Sequence, residues 1–345
     1  MDLSTDLGKI RLKNPLICAS SEITLTAEGI RSAIDAGAGA VIAKSVNESP
    51  AAAAQLSKAE YILLDDNWKV VPWNSSRRRD ASLFCRSGLA QMPLDQWLAM
   101  LAELDGYARQ KQSIVVGSIT VAQPDPAAEI AAKMQTAGLR WIELNLGAPH
   151  GREASAVRQI TAQDAVRNYV RTVRRAVTVP LAVKLTAQAD DPLALAAIAI
   201  EEGADMLVIS GRVHGFMPDI ETLKPILGSW GAIGGGWSLP ASLYWVSKCW
   251  RNVSRQKIPI IGTNGARSAE DVVRFLLSGA QAVELASVAI TNGPQIFEEL
   301  LAGILSYCER MQISSIQDLI GKAADSTLTY DEIQRKPTLS FPWDL

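Results

Sequence analysis

The sequence predicts a (β/α)8 barrel, and three observations carry that prediction. One is a pattern that recurs four times, at Ala36-Gly37, Ala137-Gly138, Glu202-Gly203 and Ser278-Gly279. Each time a helix-like stretch ends on glycine and an apolar run begins within a few residues. Glycine is favoured there because the position just past a helix takes a left-handed backbone. The second is a set of near-continuous apolar runs, 113–118 (SIVVGS), 179–184 (VPLAVK) and 258–262 (IPIIG), that interleave with the first. Such runs suit parallel strands covered by helices on both faces. The third is the strand count. Strands are expected at 15–20, 39–44, 113–118, 140–146, 179–185, 205–210, 258–262 and 282–286, separated by helical segments that are clearest at 126–137, 164–177, 191–202, 268–279 and 294–310. Eight alternating units suit a closed barrel. An open doubly wound sheet is the runner-up, because alternation alone does not show closure.

In chain order, 6–15 (DLGKIRLKNP) reads as a short hairpin turning at Gly8. Pro15 to Ser20 is a buried strand, and Thr26 caps the helix that follows, with Gly29 as a weak point inside it. Two excursions interrupt the alternation, after the second strand and after the sixth. The first, 47–92, holds Asp65-Asp66-Asn67 and Arg77-Arg78-Arg79; the second, 211–256, holds Gly231 to Trp237. Both follow strand ends, so both are expected over the face where barrels carry their sites. Long structureless loops are uncommon unless functional. The arginine run reads as a solvated loop. Residues 1–320 are expected to form one barrel domain, with 321–345 as a tail packed on it.

Composition narrows the function. The chain has 345 residues, 48% of them hydrophobic, which supports a sizeable core. A net charge of −2 with dispersed Lys and Arg argues against nucleic acid. No apolar run approaches the roughly 18 residues a membrane helix needs. The N-terminus has no apolar segment of the kind that directs secretion. Cys18, Cys85, Cys249 and Cys308 are far apart and two histidines are few, so disulfides, metal sites and iron–sulfur clusters are not expected. A reducing cytoplasm fits.

The most informative stretch is 141–163 (WIELNLGAPHGREASAVRQITAQ). Its first part alternates like a strand, then breaks at Gly147-Ala148-Pro149-His150-Gly151. A strand end opening into a long loop is where an α/β barrel handles ligands. Asn145 is therefore expected to face a ligand.

These motifs resemble the dihydroorotate dehydrogenase family. Met1 to Thr5 with Lys13-Asn14-Pro15-Leu16 is similar to the start of its class 1 members, and Glu143 to Gly151 resembles the ELNLSCPHG segment of the dihydropyrimidine dehydrogenase barrel. Val183 to Thr186, Gly235 to Ser238 and Ile258 to Gly265 follow in the family's order. The resemblance implies an FMN-binding barrel that moves hydride between the flavin and a C–C bond of a small pyrimidine-like or anionic substrate. It also implies a homodimer and leaves room for a redox partner protein.

It assigns roles as well. Gly235 and Gly236, Gly262-Thr263-Asn264-Gly265 and Ala286-Ser287 would cradle the phosphate, with Asn-Gly and Ala-Ser replacing the family's usual Gly-Gly and Gly-Thr. Lys184 and Lys44 match its two flavin-side lysines, while Ala19, Ser20, Ser118 and Asn145 match ring contacts. The substrate side departs further. Ala148 stands at one site of the family's catalytic cysteine and Thr161 at the other. Proton transfer would then rest on Thr161, on His150 or on solvent, and Lys44 is a further candidate catalytic residue. Of the family's substrate asparagines Asn145 is retained, while the others become Cys85 and Gly211-Arg212, so Arg212 and Arg86 suggest a planar anion instead, unless either pairs with an acid such as Asp219. A redox-inactive barrel serving as a ligand-binding or scaffold subunit is the alternative.

Overall fold

The computed structural model describes residues 1–75, 80–147, 161–186, 188–253, 258–334 and 343. Eight parallel strands close a barrel: β1 (Leu16–Cys18), β2 (Ala40–Ile42), β3 (Ile114–Thr120), β4 (Ile142–Asn145), β5 (Leu181–Lys184), β6 (Met206–Ile209), β7 (Ile260–Thr263) and β8 (Ala282–Leu285). Closure is made by β8 on β1, with Val283 opposite Leu16 and Leu285 opposite Cys18. That pairing excludes the open sheet. Each strand is followed by a helix: α1 (Ala27–Asp35), α2 (Leu94–Gln110), α3 (Pro124–Thr136), α4 (Gln163–Ala176), α5 (Pro192–Glu201), α6 (Leu239–Val253), α7 (Ala269–Leu277) and α8 (Ile296–Arg310).

The glycine signal holds in detail. Gly37, Gly138, Gly203 and Gly279 all have φ between 95° and 108°. Gly29 is more than a weak point. A Cβ there would lie 1.9 Å from the Ile23 carbonyl oxygen, so only glycine lets the preceding turn pack on α1. Thr26 caps α1 as expected, accepting from the Gly29 N–H.

Alternation along the strands decides which residues enter the barrel. Ile17, Val116, Trp141, Ala182, Met206, Val208 and Ala282 form the inner core. Leu16, Val115, Leu144, Val183, Leu207 and Val283 pack outward against the helices. The inward parity continues to Ser118, Glu143, Lys184 and Glu284, so polar groups occupy the upper barrel interior, and all four are buried.

The excursions are more ordered than the sequence suggests. Strands 60–64, 70–71 and 82–86 of the first join strands 213–215 and 231–234 of the second in one five-stranded antiparallel sheet. The two halves meet through Ala232 opposite Cys85, Ile233 opposite Phe84 and Gly234 opposite Leu83. These short strands are stable only once paired across the molecule, which is why neither excursion reads as a strand region alone. The second excursion also ends earlier than expected, because α6 occupies 239–253. The helix α2 was not among the clear helical segments either. Its Asp105 is 2% exposed and accepts from Arg140 at 2.7 and 2.8 Å and from the Val115 N–H at 3.1 Å, tying helix to barrel.

Arg77, Arg78 and Arg79 lie outside the described residues. The chain beyond α8 forms a short helix at Lys322–Asp325, whose Asp325 accepts from the Trp250 indole at 2.8 Å. All four cysteines are free and buried. Among the described residues no helix is long and apolar enough to cross a membrane, and no cluster suits a metal ion.

Candidate active site

A cavity opens at the C-terminal ends of the barrel strands, roofed by the antiparallel sheet. Its wall includes Ala19 and Ser20 after β1, Lys44 after β2, Asn145 on β4 and Lys184 on β5. Thr263 and Asn264 at β7, with Ala286 and Ser287 after β8, form another part of the wall, and Cys85, Gly234 and Arg212 come from the two excursions. Eleven chosen positions, 19, 20, 44, 85, 145, 184, 212, 263, 264, 286 and 287, thus meet in one space although the sequence scatters them.

The other expected residues stand elsewhere. Gly235, Gly236, Gly262 and Gly265 lie behind the wall. A Cβ on Gly235, Gly262 or Gly265 would strike Ser82, the Phe275 ring or the Leu239 backbone within 2.3–2.5 Å, so packing already requires glycine at those three, whereas at Gly236 it would meet only the movable Arg267 guanidinium at 2.2 Å. Ser118 is not part of the wall and is linked to it through Ser45 and then Ser20. Arg86 does not face the cavity. It donates to the Lys58 carbonyl at 2.8 Å, to Glu60 at 3.0 Å, to Ser229 at 3.0 Å and to the Leu227 carbonyl, so it fastens the sheet. Thr161 lies just before α4 and is not part of the wall. His150 and Ala148 fall outside the described residues.

Three charged groups organise the interior. The Lys184 ammonium donates to Glu143 at 3.1 Å and to Glu284. Burial pushes this lysine down, but the two carboxylates outweigh it and hold its pKa above the ordinary value. Glu284 is driven well above the usual carboxylate range by burial and by the charge of Glu143, with Lys184 opposing. At the next strand end, the Lys44 ammonium donates to Glu22 at 2.6 Å and to Ser87 at 2.9 Å. Burial pushes Glu22 up, but Lys44 dominates and holds it at about 2. At the roof, the Arg212 guanidinium donates to the Cys85 sulfur at 2.6 Å. Burial raises the Cys85 thiol, and Arg212 and Lys44 temper that rise. Asp219 does not pair with Arg212; it accepts from the N–H groups of Glu221 and Thr222. Among the described residues no carboxylate lies within ion-pair distance of Arg212.

Donor capacity is left for a ligand. An ammonium has three N–H groups, and among the described residues Lys44 and Lys184 each spend two. The Asn145 side-chain oxygen accepts from the Gly147 N–H at 3.0 Å, and this cavity-lining residue spends neither amide N–H in a hydrogen bond among the described residues. Asn264, at φ 69°, donates to the carbonyls of Ser210 and Gly211 at 2.9 and 2.5 Å and fixes the loop after β6. Asn tolerates that left-handed conformation better than most residues. A planar, electron-rich heterocycle with a polar edge suits this donor set, and so does an anion beneath Arg212.

Sequence reasoning missed Glu22, Ser45, Ser87, Glu143 and Glu284. A signal was present for two of them. Glu143 shares strand parity with Asn145, and Glu284 sits between the apolar Val283 and Leu285, so each is a charged residue at an inward position of a buried strand.

Fold and site together define a barrel enzyme whose cationic cavity lies at the carboxyl ends of the strands. The sequence profile of the dihydroorotate dehydrogenase family matches residues 75–307, more than half of the chain. The chain belongs to that family, and it is accordingly an oxidoreductase. It is 32% identical over 322 residues to the catalytic subunit of dihydroorotate dehydrogenase B (NAD(+)) from Methanosarcina acetivorans, covering 92% of this chain and 94% of that protein. The corresponding subunit from Pyrococcus furiosus is 31% identical over 329 residues, covering 94% and 99%. The one from Methanothermobacter thermautotrophicus is 27% identical over 331 residues, covering 94% and 99%. Among solved structures, an Eimeria tenella DHODH in complex with ferulenol superposes with a TM-score of 0.72 at 18% identity, covering 93% of this chain and 88% of that one. At that identity the likeness speaks for the fold.

Proposed function

We propose that the protein is an FMN-dependent oxidoreductase that forms or reduces a C–C double bond in a small, anionic, pyrimidine-like substrate. The observation that carries this reading is the convergence of Lys44, Lys184 and Asn145, from three different strands, on one cavity with N–H groups to spare. Lys184 and Asn145 would hold the polar edge of the flavin ring, with Ser20 and the backbone at Ala19 beside it. Thr263, Asn264, Ala286 and Ser287 would take the phosphate end. When bound, the flavin supplies hydride transfer. A fixed cation near its pyrimidine edge stabilises the negative charge of the reduced form.

Arg212 is the residue we assign to the substrate anion, with Cys85 beside it. The relatives are named as catalytic subunits, and on that ground we read this chain too as working with a partner subunit. The relatives' being named as catalytic subunits speaks against the scaffold alternative.

The test is direct. Purified protein should be yellow, release FMN on denaturation and rebind it in a one-to-one ratio. Lys184→Ala should lose the flavin. A colourless protein that takes up no added FMN would refute the reading.

A further inference from the structure

Two buried carboxylates flank one buried ammonium in the barrel interior. Glu143 and Glu284 are 0% and 2% exposed, and both contact Lys184. With both ionised, the cluster would carry a net negative charge out of reach of water. Two like charges so close do not both ionise readily.

Hydrogen bonding tells the two apart. Glu143 has a donor on each oxygen, Ser118 at 3.0 Å on Oε1 and Lys184 at 3.1 Å on Oε2. Glu284 has the shared ammonium on Oε2 and a hydrogen bond with the Glu143 carboxyl, while its buried Oε1 has no donor among the described residues. An ionised oxygen left without a donor is the costlier arrangement. Glu284 is therefore where the proton resides. The neighbouring Cys18 thiol, pushed up to about 12 by burial and by Glu284, is no competing acid at neutral pH.

A file of hydroxyls leads from this pair to the cavity. Ser45 lies 2.8 Å from Ser118, and Ser20, on the cavity wall, lies 3.0 Å from Ser45. Each serine has one proton to donate. Ser118 spends its own on Glu143, so Ser45 must donate to Ser118, and Ser20 to Ser45. The Ser45 N–H in turn donates to the Ser20 oxygen at 3.0 Å, which holds the last link in place. All three hydroxyls thus point toward an ionised Glu143.

We propose that the Glu143–Glu284 pair holds one proton at neutral pH and exchanges it with the cavity through Ser118, Ser45 and Ser20. The pair is a proton store built into the barrel floor. In this orientation a proton enters from the cavity, each hydroxyl accepting one proton and releasing another until Glu143 and then its hydrogen-bonded neighbour Glu284 take it up, so no charge is left on the serines; a proton leaves by the same path once the three hydroxyls have turned round. The store's use in turnover rests on the flavin reading above; its existence does not.

The experiment is infrared spectroscopy of the whole protein with carbon-13 glutamate at neutral pH, where exposed carboxylates are ionised. The expected result is a carbonyl band from one protonated, buried carboxylic acid. It should be present in wild type and in Glu22→Gln, and absent in Glu284→Gln. On transfer to heavy water the band should shift rapidly in wild type, at least tenfold more slowly in Ser45→Ala, and rapidly again in Ser45→Thr. No band in wild type, or a band that survives Glu284→Gln, overturns the store. Equally fast exchange in Ser45→Ala overturns the path. FMN uptake, measured separately, keeps the two readings apart. If no FMN binds but the band is seen, the function falls and the store stands. If FMN binds and no band is seen, the store alone falls.

Discussion

Replacing Lys184 by methionine removes, among the described residues, the only cation bonded to Glu143 and Glu284 while keeping a chain of similar length. Glu143 would keep the Ser118 hydroxyl, and Glu284 would lose the ammonium on its Oε2. Breaking a buried ion pair by removing one partner costs about 3–5 kcal/mol, because the remaining charge has no counter-charge. At about 2 °C per kcal/mol for a chain of this size, the melting temperature should fall by about 6–10 °C. The loss should also depend on pH. Without the ammonium the carboxyl pair holds its protons more tightly than in the unfolded chain. A group whose folded pKa is raised gives stability that is present at acid pH and lost as pH rises. The deficit should therefore be smallest near pH 4 and grow toward neutrality. Urea unfolding of the flavin-free protein is the assay, since bound flavin would add stability of its own. Adding Glu143→Gln to the lysine variant should recover part of the loss. A deficit below about 1 kcal/mol at neutral pH, or one that does not change with pH, would refute the account of Lys184 as the counter-charge.

Other outcomes follow from the same geometry. Glu22, held at about 2 by Lys44, stabilises the fold above the ordinary glutamate value, and that contribution is lost as pH falls toward 2. It should be worth about 3 kcal/mol at neutral pH, so the stability gap between wild type and Glu22→Gln should close between about pH 5 and 2. Arg212→Gln should weaken binding of planar carboxylates by about 10- to 100-fold with little effect on FMN affinity, as read by titration calorimetry; unchanged carboxylate binding would remove Arg212 from the substrate site. Gly265→Ala meets both a φ of 102° and the Leu239 backbone at 2.5 Å, and should cost at least about 2 kcal/mol in urea unfolding. Asp105→Ala leaves the Arg140 guanidinium without its main acceptor and the buried Val115 N–H unpaired, and should cost about 3 kcal/mol by the same measurement.

Much of the barrel was legible from residues alone. A strand covered on both faces must be apolar almost throughout, and a helix that ends on a left-handed residue favours glycine. Both signals are local, and both held at Gly37, Gly138, Gly203 and Gly279 and at the eight strands. The roof was not legible. Strand 231–234 has its pairing partner about 150 residues earlier, at 83–85, and glycine-rich segments gain strand character only from that partner. The site divided in the same way. Lys184, Lys44 and Asn145 stand out as polar residues at the ends of apolar runs. Arg86 and Arg212 look alike in sequence, and only their neighbours separate a residue that fastens a sheet from one that faces a cavity.

The sequence by itself determined the alternation of strand and helix, the strand ends that line the cavity, and the family. It did so because burial and backbone sterics act over a few residues and leave a periodic mark. Only the tertiary structure decided which charges meet. Glu284 is 100 residues from Lys184, and closure of β8 on β1 brings them into contact. Ser45 is 73 residues from Ser118, and they meet because the chain beyond β2 runs on beside β3, where the Val46 N–H donates to the Ser118 carbonyl at 3.1 Å. Electrostatic and hydrogen-bonding partners are set by distance in space, and no local pattern records that distance.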